Sequence, residues 1–375
     1  MKSLVLSIDD DESEVKPLVP VSLSLQVIDP NSEALAKSLA DWLPKASLIL
    51  LDQKFNENAD PLSLKASDGS SFVAHLRSWS RRNKTALAPL VLFTNDAQSI
   101  ENEIPSVGPA IPLDGSFEGK EHLFAPSLDV EWILFKVAED ASARIQQLVD
   151  GFVSACGVAG KNGVSLHELE ALLKLPADKD WTENAQAELR AARAPISQLD
   201  DNTDDPFGPT QALRWLCHRA LPYPGFLFSD RYAAWALGIS VEVFQSIAAM
   251  ECATPWLNEL KSAHYRGPLD QFLERRWWKA GIDYLVWELD NETLKQGSRE
   301  RAWEVLAPGS NVSRIYSTSG YVVSWTPDLN EQSISDINVC LPLKPPGWPA
   351  EALEPWVLKS DLDSNSVLRA MTEEG

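Results

Sequence analysis

The sequence predicts an α/β fold, a doubly wound parallel sheet of five strands, followed by a larger, mostly helical α+β domain. Two observations in the first 140 residues carry the first half of that expectation. Apolar runs of strand length recur at "SLVLSI" (3–8), "SLSLQVI" (22–28), "ASLILL" (46–51) and "APLVLF" (88–93), with a weaker one at "EHLFA" (121–125). Helical patterns lie between them, at "SEALAKSLADWL" (32–43) and "SSFVAHLRSWSRR" (70–82). Because the strands are continuously apolar rather than alternating, both faces of the sheet are covered, which is the habit of parallel sheets with crossover helices.

Each element has a local reason. In the helix over 70–82, Phe72, Leu76 and Trp79 recur at helical spacing behind Asp68-Gly69, which reads as turn and cap. A further helix is expected to start near Asp129 ("DVEWILFKVAEDASARIQQLVDGFVSA") and to lead the chain out of the first domain, which is bounded at 1–140 with the second at 141–375. "GVSLHELEALLKL" opens on a capping box, Ser165 with Glu168 three residues on. "DKDWTENAQAELRAARA" is a second helix, and "SQLDDNTDDPFGP" (197–209) a surface loop or lid. Aromatic-rich helical segments follow: "TQALRWLCHRAL", "SDRYAAWALGIS", "VEVFQSIAAM" and "LDQFLERRWWKAGIDYLVWEL". "VSRIYSTSGYVVSW" (312–325) reads as a hairpin turning at Ser319-Gly320, and the Pro-rich "LPLKPPGWPAEALEPW" as extended chain.

Composition excludes several classes. A formal net charge of −21 argues against nonspecific binding to nucleic acid or anionic membrane. No run approaches the roughly 18 apolar residues of a membrane span, and the apolar stretch at the N-terminus is too short for a signal peptide, so a cytoplasmic location is expected. Cys156, Cys217, Cys252 and Cys340 are dispersed and the five histidines scattered, which points to reduced thiols and gives zinc no support.

The chemistry gathers at strand ends. "LSIDDD" closes the first strand with Asp9, Asp10 and Asp11; "LILLD" closes another with Asp52; "LFTND" places the hydroxyl of Thr94 on the same edge. Ligands of open α/β sheets bind where the carboxyl ends of strands meet. One hard cation, magnesium above all, could join such carboxylates. A carboxylate nucleophile, metal-binding acids and a hydroxyl suit phosphoryl transfer.

With these residues in hand, the stretch 3–140 resembles the receiver domain of two-component response regulators. Asp10 and Asp11 match the family's acidic pair, with Asp9 as a frame-shifted substitute; Asp52 matches the phospho-acceptor, Thr94 the hydroxyl, and Asp68-Gly69 the "DG" before the third helix. The resemblance implies a flavodoxin-like sheet, Mg2+ held by Asp10, Asp11 and Asp52, and a sensor histidine kinase as partner and phosphoryl donor. The sequence departs from the family in three places. "KFNENADPLSLK" (54–65) replaces a short loop, the first helix is reduced to "ESEVKPLVPV", and the expected fifth strand puts Ala125 before Pro126 where the family has a lysine. Lys120 and Lys54 are the nearby cations that could serve the phosphoryl group instead.

The second half offers weaker signals. "DRYAAWALGISVEVFQ" has the outline of a helix-turn-helix, but its second helix lacks Arg and Lys to meet phosphate, so DNA binding is not expected. "ERRWWKAG" (274–281) is either a clamp for a phosphorylated partner or tryptophans in a core with arginines paired to acids. Cys217-His218 has no orienting acid, and nothing resembles an enzyme signature. More loosely, the whole resembles receiver proteins of bacterial defensive (anti-phage) two-component systems, which implies a phosphate buffer or phosphorelay component with another receiver or effector protein as partner. Two rival readings stand beside this one: a pseudo-receiver that docks without phosphate, and an effector with an unrecognised activity in the second domain.

Overall fold

A computed structural model describes residues 2–55, 68–95, 121–159, 164–192, 208–251, 254–310, 312, 317–363 and 365–372. Lys120, Cys252, most of the 197–209 loop and most of the 54–65 insertion lie outside the described residues. The described residues divide into two compact units, one within 1–107, 113–172 and 195–218, the other within 173–194 and 219–375. The first unit therefore runs past the boundary expected at 140.

The first unit holds a five-stranded sheet in the order β2-β1-β3-β4-β5, every pair parallel. Its strands are β1 (Leu4–Ile8), β2 (Ser24–Ile28), β3 (Ala46–Leu51), β4 (Leu90–Thr94) and β5 (Trp132–Phe135). This order, with the chain reversing direction of winding beside β1, is the doubly wound flavodoxin-like arrangement. Leu48 to Leu51 and Leu90 to Phe93 are fully buried, as continuous apolar strands require. On one face Leu6, Ile8, Ile49, Leu51, Leu90, Leu92 and Ile133 form a core with Phe72, Val73 and Leu76 of the helix Gly69–Asn83. The helix α1 (Glu12–Val15) is a single turn, α2 is Leu35–Trp42, and α3 is that Gly69–Asn83 helix, capped by Asp68 through the Ser71 amide.

The fifth strand is the main correction. Glu121–Phe124, expected as a strand, is a short helix, α4. The strand beside β4 is instead Trp132–Phe135, in register from Val91 with Trp132 to Thr94 with Phe135. The helix expected from Asp129 cannot begin there, because Asp129 has a φ of 57°, outside the right-handed helical region. Four uncharged, bulky residues after that break extend into the sheet, and helix α5 (Ala141–Val158) starts only afterwards and packs on β3.

Beyond β3, positions 54 and 68 stand side by side. Lys54 and Asp68 form an antiparallel bridge, and the Gly69 amide donates to the Gln53 carbonyl at 3.0 Å.

The first unit also includes α6 (Leu166–Leu172), where Ser165 and Glu168 make the expected capping box, with Ser165 N donating to Glu168 Oε2 at 2.6 Å and Glu168 N to Ser165 Oγ at 3.3 Å. In the same unit, α8 (Gly208–Trp215) follows α7 (Thr182–Ala191), which belongs to the second unit.

The second unit is helical with two small sheets, one ordered β10-β11-β8-β9 and one of β6 with β7. The pair α9 (Asp230–Leu237) and α10 (Val241–Ala248) turns at Gly238, φ 72°, and Ser240 caps the second helix. The two helices pack against each other, and α10 carries no cation. Part of "ERRWWKAG" is a strand: β7 (Arg276–Trp278) pairs antiparallel with β6 (Leu227–Ser229), and the long helix α12 begins at Lys279 after α11 (Pro255–Ala263). Trp277 and Trp278 are buried, Arg275 pairs with Asp230 at 2.6 Å, and Arg276 lies between Glu274 and Glu331. The core reading of this motif, rather than the clamp, describes what is there.

The expected hairpin is displaced. Ser319 and Gly320 sit in a 3-10 turn ahead of β8 (Tyr321–Trp325), whose antiparallel partner is β9 (Glu331–Asp336). The reversal occurs over 326–330, where the Thr326 amide donates to the Asn330 carbonyl at 2.7 Å. The Pro-rich end supplies β10 (Cys340–Pro342) and β11 (Trp356–Leu358).

Candidate functional site

Strand order puts the carboxyl ends of β1, β3, β4 and β5 side by side. The residues just past those ends are Asp9, Asp52, Asn95 and Lys136, and Thr94 ends β4 itself. Backbone hydrogen bonds hold them in place. The Asp9 amide donates to the Ile28 carbonyl at 3.2 Å, the Asp52 amide to Ile8 at 3.0 Å, and the Lys136 amide to Thr94 at 3.0 Å.

The side chains converge on one ammonium group. Lys136 Nζ lies 2.9 Å from Asp9 Oδ2, 3.0 Å from Glu14 Oε2 and 3.5 Å from Asp52 Oδ1. The lysine and Asp9 are almost entirely buried, whereas Glu14, on the one-turn helix α1, is half exposed. The two buried carboxylates also accept backbone N–H groups: Asp11 N donates to Asp9 Oδ1 and Gln53 N to Asp52 Oδ1, each at 2.9 Å.

Burial raises the Asp52 carboxyl to about 6; Lys136 opposes that rise and the Asp9 charge adds to it. Burial likewise lifts Asp10. For Lys136, burial alone would lower the pKa, but the hydrogen bond to Asp9 and the attraction of Asp52 and Glu14 carry it above the ordinary value.

Asp9, Asp10 and Asp52 each offer a carboxylate oxygen, all within 4.8 Å of one another. All are hard oxygen donors, the set that magnesium prefers, so the residues present fit that ion. Asp11 stands elsewhere. It is the N-cap of α1 and accepts from Ser13 N at 2.8 Å, and that hydrogen bonding with Ser13 holds its carboxyl below the usual range. The acidic pair at the first strand end is therefore Asp9 and Asp10 rather than Asp10 and Asp11.

The lysine that the sequence reading missed is Lys136. Ala125 is a buried core residue beside α4, and it does not stand at the end of a strand. Lys54 lies in the bridge with Asp68. The signal for Lys136 was the uncharged "WILF" immediately before it.

Gly69 belongs to the site's frame. A Cβ on it would lie 2.3 Å from the Asp52 carbonyl oxygen, so the first residue of α3 approaches the Asp52 backbone as only glycine can.

Cys217 and His218 form no nucleophilic pair. Burial pushes the Cys217 thiol up, and His218 Nε2 lies 3.0 Å from the Glu131 carbonyl oxygen, to which it donates. Burial, with the nearby Arg214 charge, lowers His218 to about 4.

No family model and no curated protein matches the chain. Similar solved structures exist. A fusion carrying amino acids 181–211 of the yeast Spc42 trimeric coiled coil is 12% identical, over 42% of this chain and 82% of that one, with a TM-score of 0.27. A response regulator receiver protein from Pseudomonas putida is 14% identical over 40% of this chain and 97% of its own, with a TM-score of 0.26. The BeF3-activated N-terminal receiver domain of Klebsiella pneumoniae RstA is 18% identical over 39% and 98%, with a TM-score of 0.24. The sheet order makes the N-terminal unit a doubly wound α/β domain, with carboxylates and a lysine gathered at its strand ends. Among the described residues, no helix is long and apolar enough to cross a membrane.

Proposed function

We propose that the chain is a phospho-acceptor signalling protein that takes a phosphoryl group onto Asp52 from a phosphohistidine of a sensor histidine kinase. The observation that carries this reading is the convergence of Lys136 with Asp9 and Asp52, at 2.9 and 3.5 Å, across the carboxyl ends of three strands. A carboxylate oxygen of Asp52 attacks phosphorus; the P–O bond forms as the P–N bond breaks, and the electron pair leaves on the imidazole nitrogen. Lys136 Nζ, already beside Asp52, offers charge-assisted donors to the phosphoryl oxygens, and Thr94 stands at the adjacent strand end to meet another. Asp9, Asp10 and Asp52 would hold magnesium, which when bound neutralises charge on the transferring group. The finer role follows the looser resemblance: a phosphate buffer or relay component of an anti-phage system, partnered by another receiver or effector protein.

The test is incubation of the full chain with acetyl phosphate and magnesium, read by intact mass, beside melting curves with beryllofluoride. A single phosphoryl adduct, absent in Asp52→Asn, is expected. No adduct and no beryllofluoride stabilisation in the wild type would overturn the reading in favour of a phosphate-independent docking module.

A further inference from the structure

An ammonium group has three N–H donors, and at Lys136 three carboxylates stand around them: Asp9, Glu14 and Asp52. A phosphoryl group on Asp52 brings more negative charge to the same ammonium, so one of the present partners must yield. Asp9 is 1% exposed and tied to the Asp11 amide. Glu14 is 48% exposed and rides on a helix of a single turn. Its carboxylate can turn outward into water at little cost, whereas Asp9 cannot leave without being stranded in the interior.

We propose that Glu14 is a positioning residue that competes with the phosphoryl group for Lys136 and thereby limits how strongly and how long Asp52 holds it. With Glu14 in place, Lys136 is divided between a rim carboxylate and the acceptor. When the phosphoryl group arrives, Glu14 is displaced into solvent, and its charge at the rim of the site repels the phosphoryl oxygens. Hydrolysis then returns the starting state: water oxygen bonds phosphorus, the P–O bond to Asp52 breaks, the carboxylate re-forms and inorganic phosphate leaves. Lys136 is again free to pair with Glu14.

This inference rests on the phospho-acceptor reading, and the experiment separates the two. Beryllofluoride with magnesium is titrated into the full-length wild type, Glu14→Gln and Asp52→Asn, followed by the shift in melting temperature. Decay of the acetyl-phosphate adduct is timed by intact mass. Glu14→Gln keeps the side chain's size and removes its charge, so it should bind beryllofluoride about three- to fivefold more tightly and lose the adduct more slowly by a similar factor. Its melting temperature without ligand should be close to wild type, which a merely structural role would not allow. Equal affinity and equal adduct lifetime in the two proteins, with Asp52→Asn inert, would overturn the role of Glu14 and leave the acceptor reading standing. Binding by neither would overturn both.

Discussion

Lys136 Nζ and Asp9 Oδ2 are 2.9 Å apart, with both side chains almost wholly removed from water. Removing one partner of such a pair strands the other. Lys136→Met should therefore destabilise the first unit by about 3 kcal/mol in urea unfolding. Adding Asp9→Asn should recover part of that loss, since one buried carboxylate fewer is then left without its cation. A double variant as unstable as the single would assign the cost to packing instead.

Gly69 predicts a second sensitivity. Gly69→Ala forces a methyl group into the Asp52 carbonyl and against Leu92. A loss of about 1–3 kcal/mol is expected, together with weaker labelling by acetyl phosphate. Gly157→Ala, where a Cβ meets nothing within 4 Å, is the matched control and should be neutral or slightly stabilising.

His218 makes stability depend on acid. Its folded pKa of about 4 lies below the unfolded value near 6.5, so the unfolded chain takes up the proton first. The contribution is complete above pH 6.5 and is lost as pH falls toward 4, to a total of roughly 3 kcal/mol. His218→Gln, which can still donate to the Glu131 carbonyl, should flatten the fall in melting temperature over that window. An unchanged slope would mean other groups dominate it.

Glu331 in the second unit works in the opposite sense. Burial, reinforced by the Glu274 charge, raises its carboxyl to about 7 against the pull of Arg276 and the Ser229 hydroxyl. The folded state thus holds a proton that the unfolded chain releases near 4.5, and stability falls as pH rises through 7. Relative to wild type, Glu331→Gln should gain melting temperature between pH 5 and pH 8. A difference that stays constant with pH would refute this.

Four of the five strands were legible because continuous apolar runs such as "ASLILL" have few other places to go. The fifth was not. "EHLFA" and "WILF" are both short, and the second runs into charged residues that continue as a helix, so periodicity could not separate strand from helix start. What decided the matter was the Asp129 backbone, with φ 57°, and its pairing beside β4, neither of which is written in residue spacing. That one shift moved the lysine from an apparent absence at Ala125 to Lys136. The acids were legible as a cluster but not by position. With three aspartates in a row, a slip of one residue exchanges buried for exposed, and only the strand's end at Ile8 selects Asp9. Glu14 carried no signal at all, since its reach across to Lys136 exists only once the strands are assembled.

The bridge between Lys54 and Asp68 has a practical consequence for protein engineering. Chain inserted between two adjacent anchor residues closes cheaply, since each doubling of a flexible loop costs only about 0.6 kcal/mol in closure entropy. The two bridged residues, Lys54 and Asp68, are therefore anchors between which new sequence can be grafted. An epitope or a fluorescent reporter spliced there would be tethered near Asp52, while the backbone contacts that hold Asp52 remain those of the parent chain.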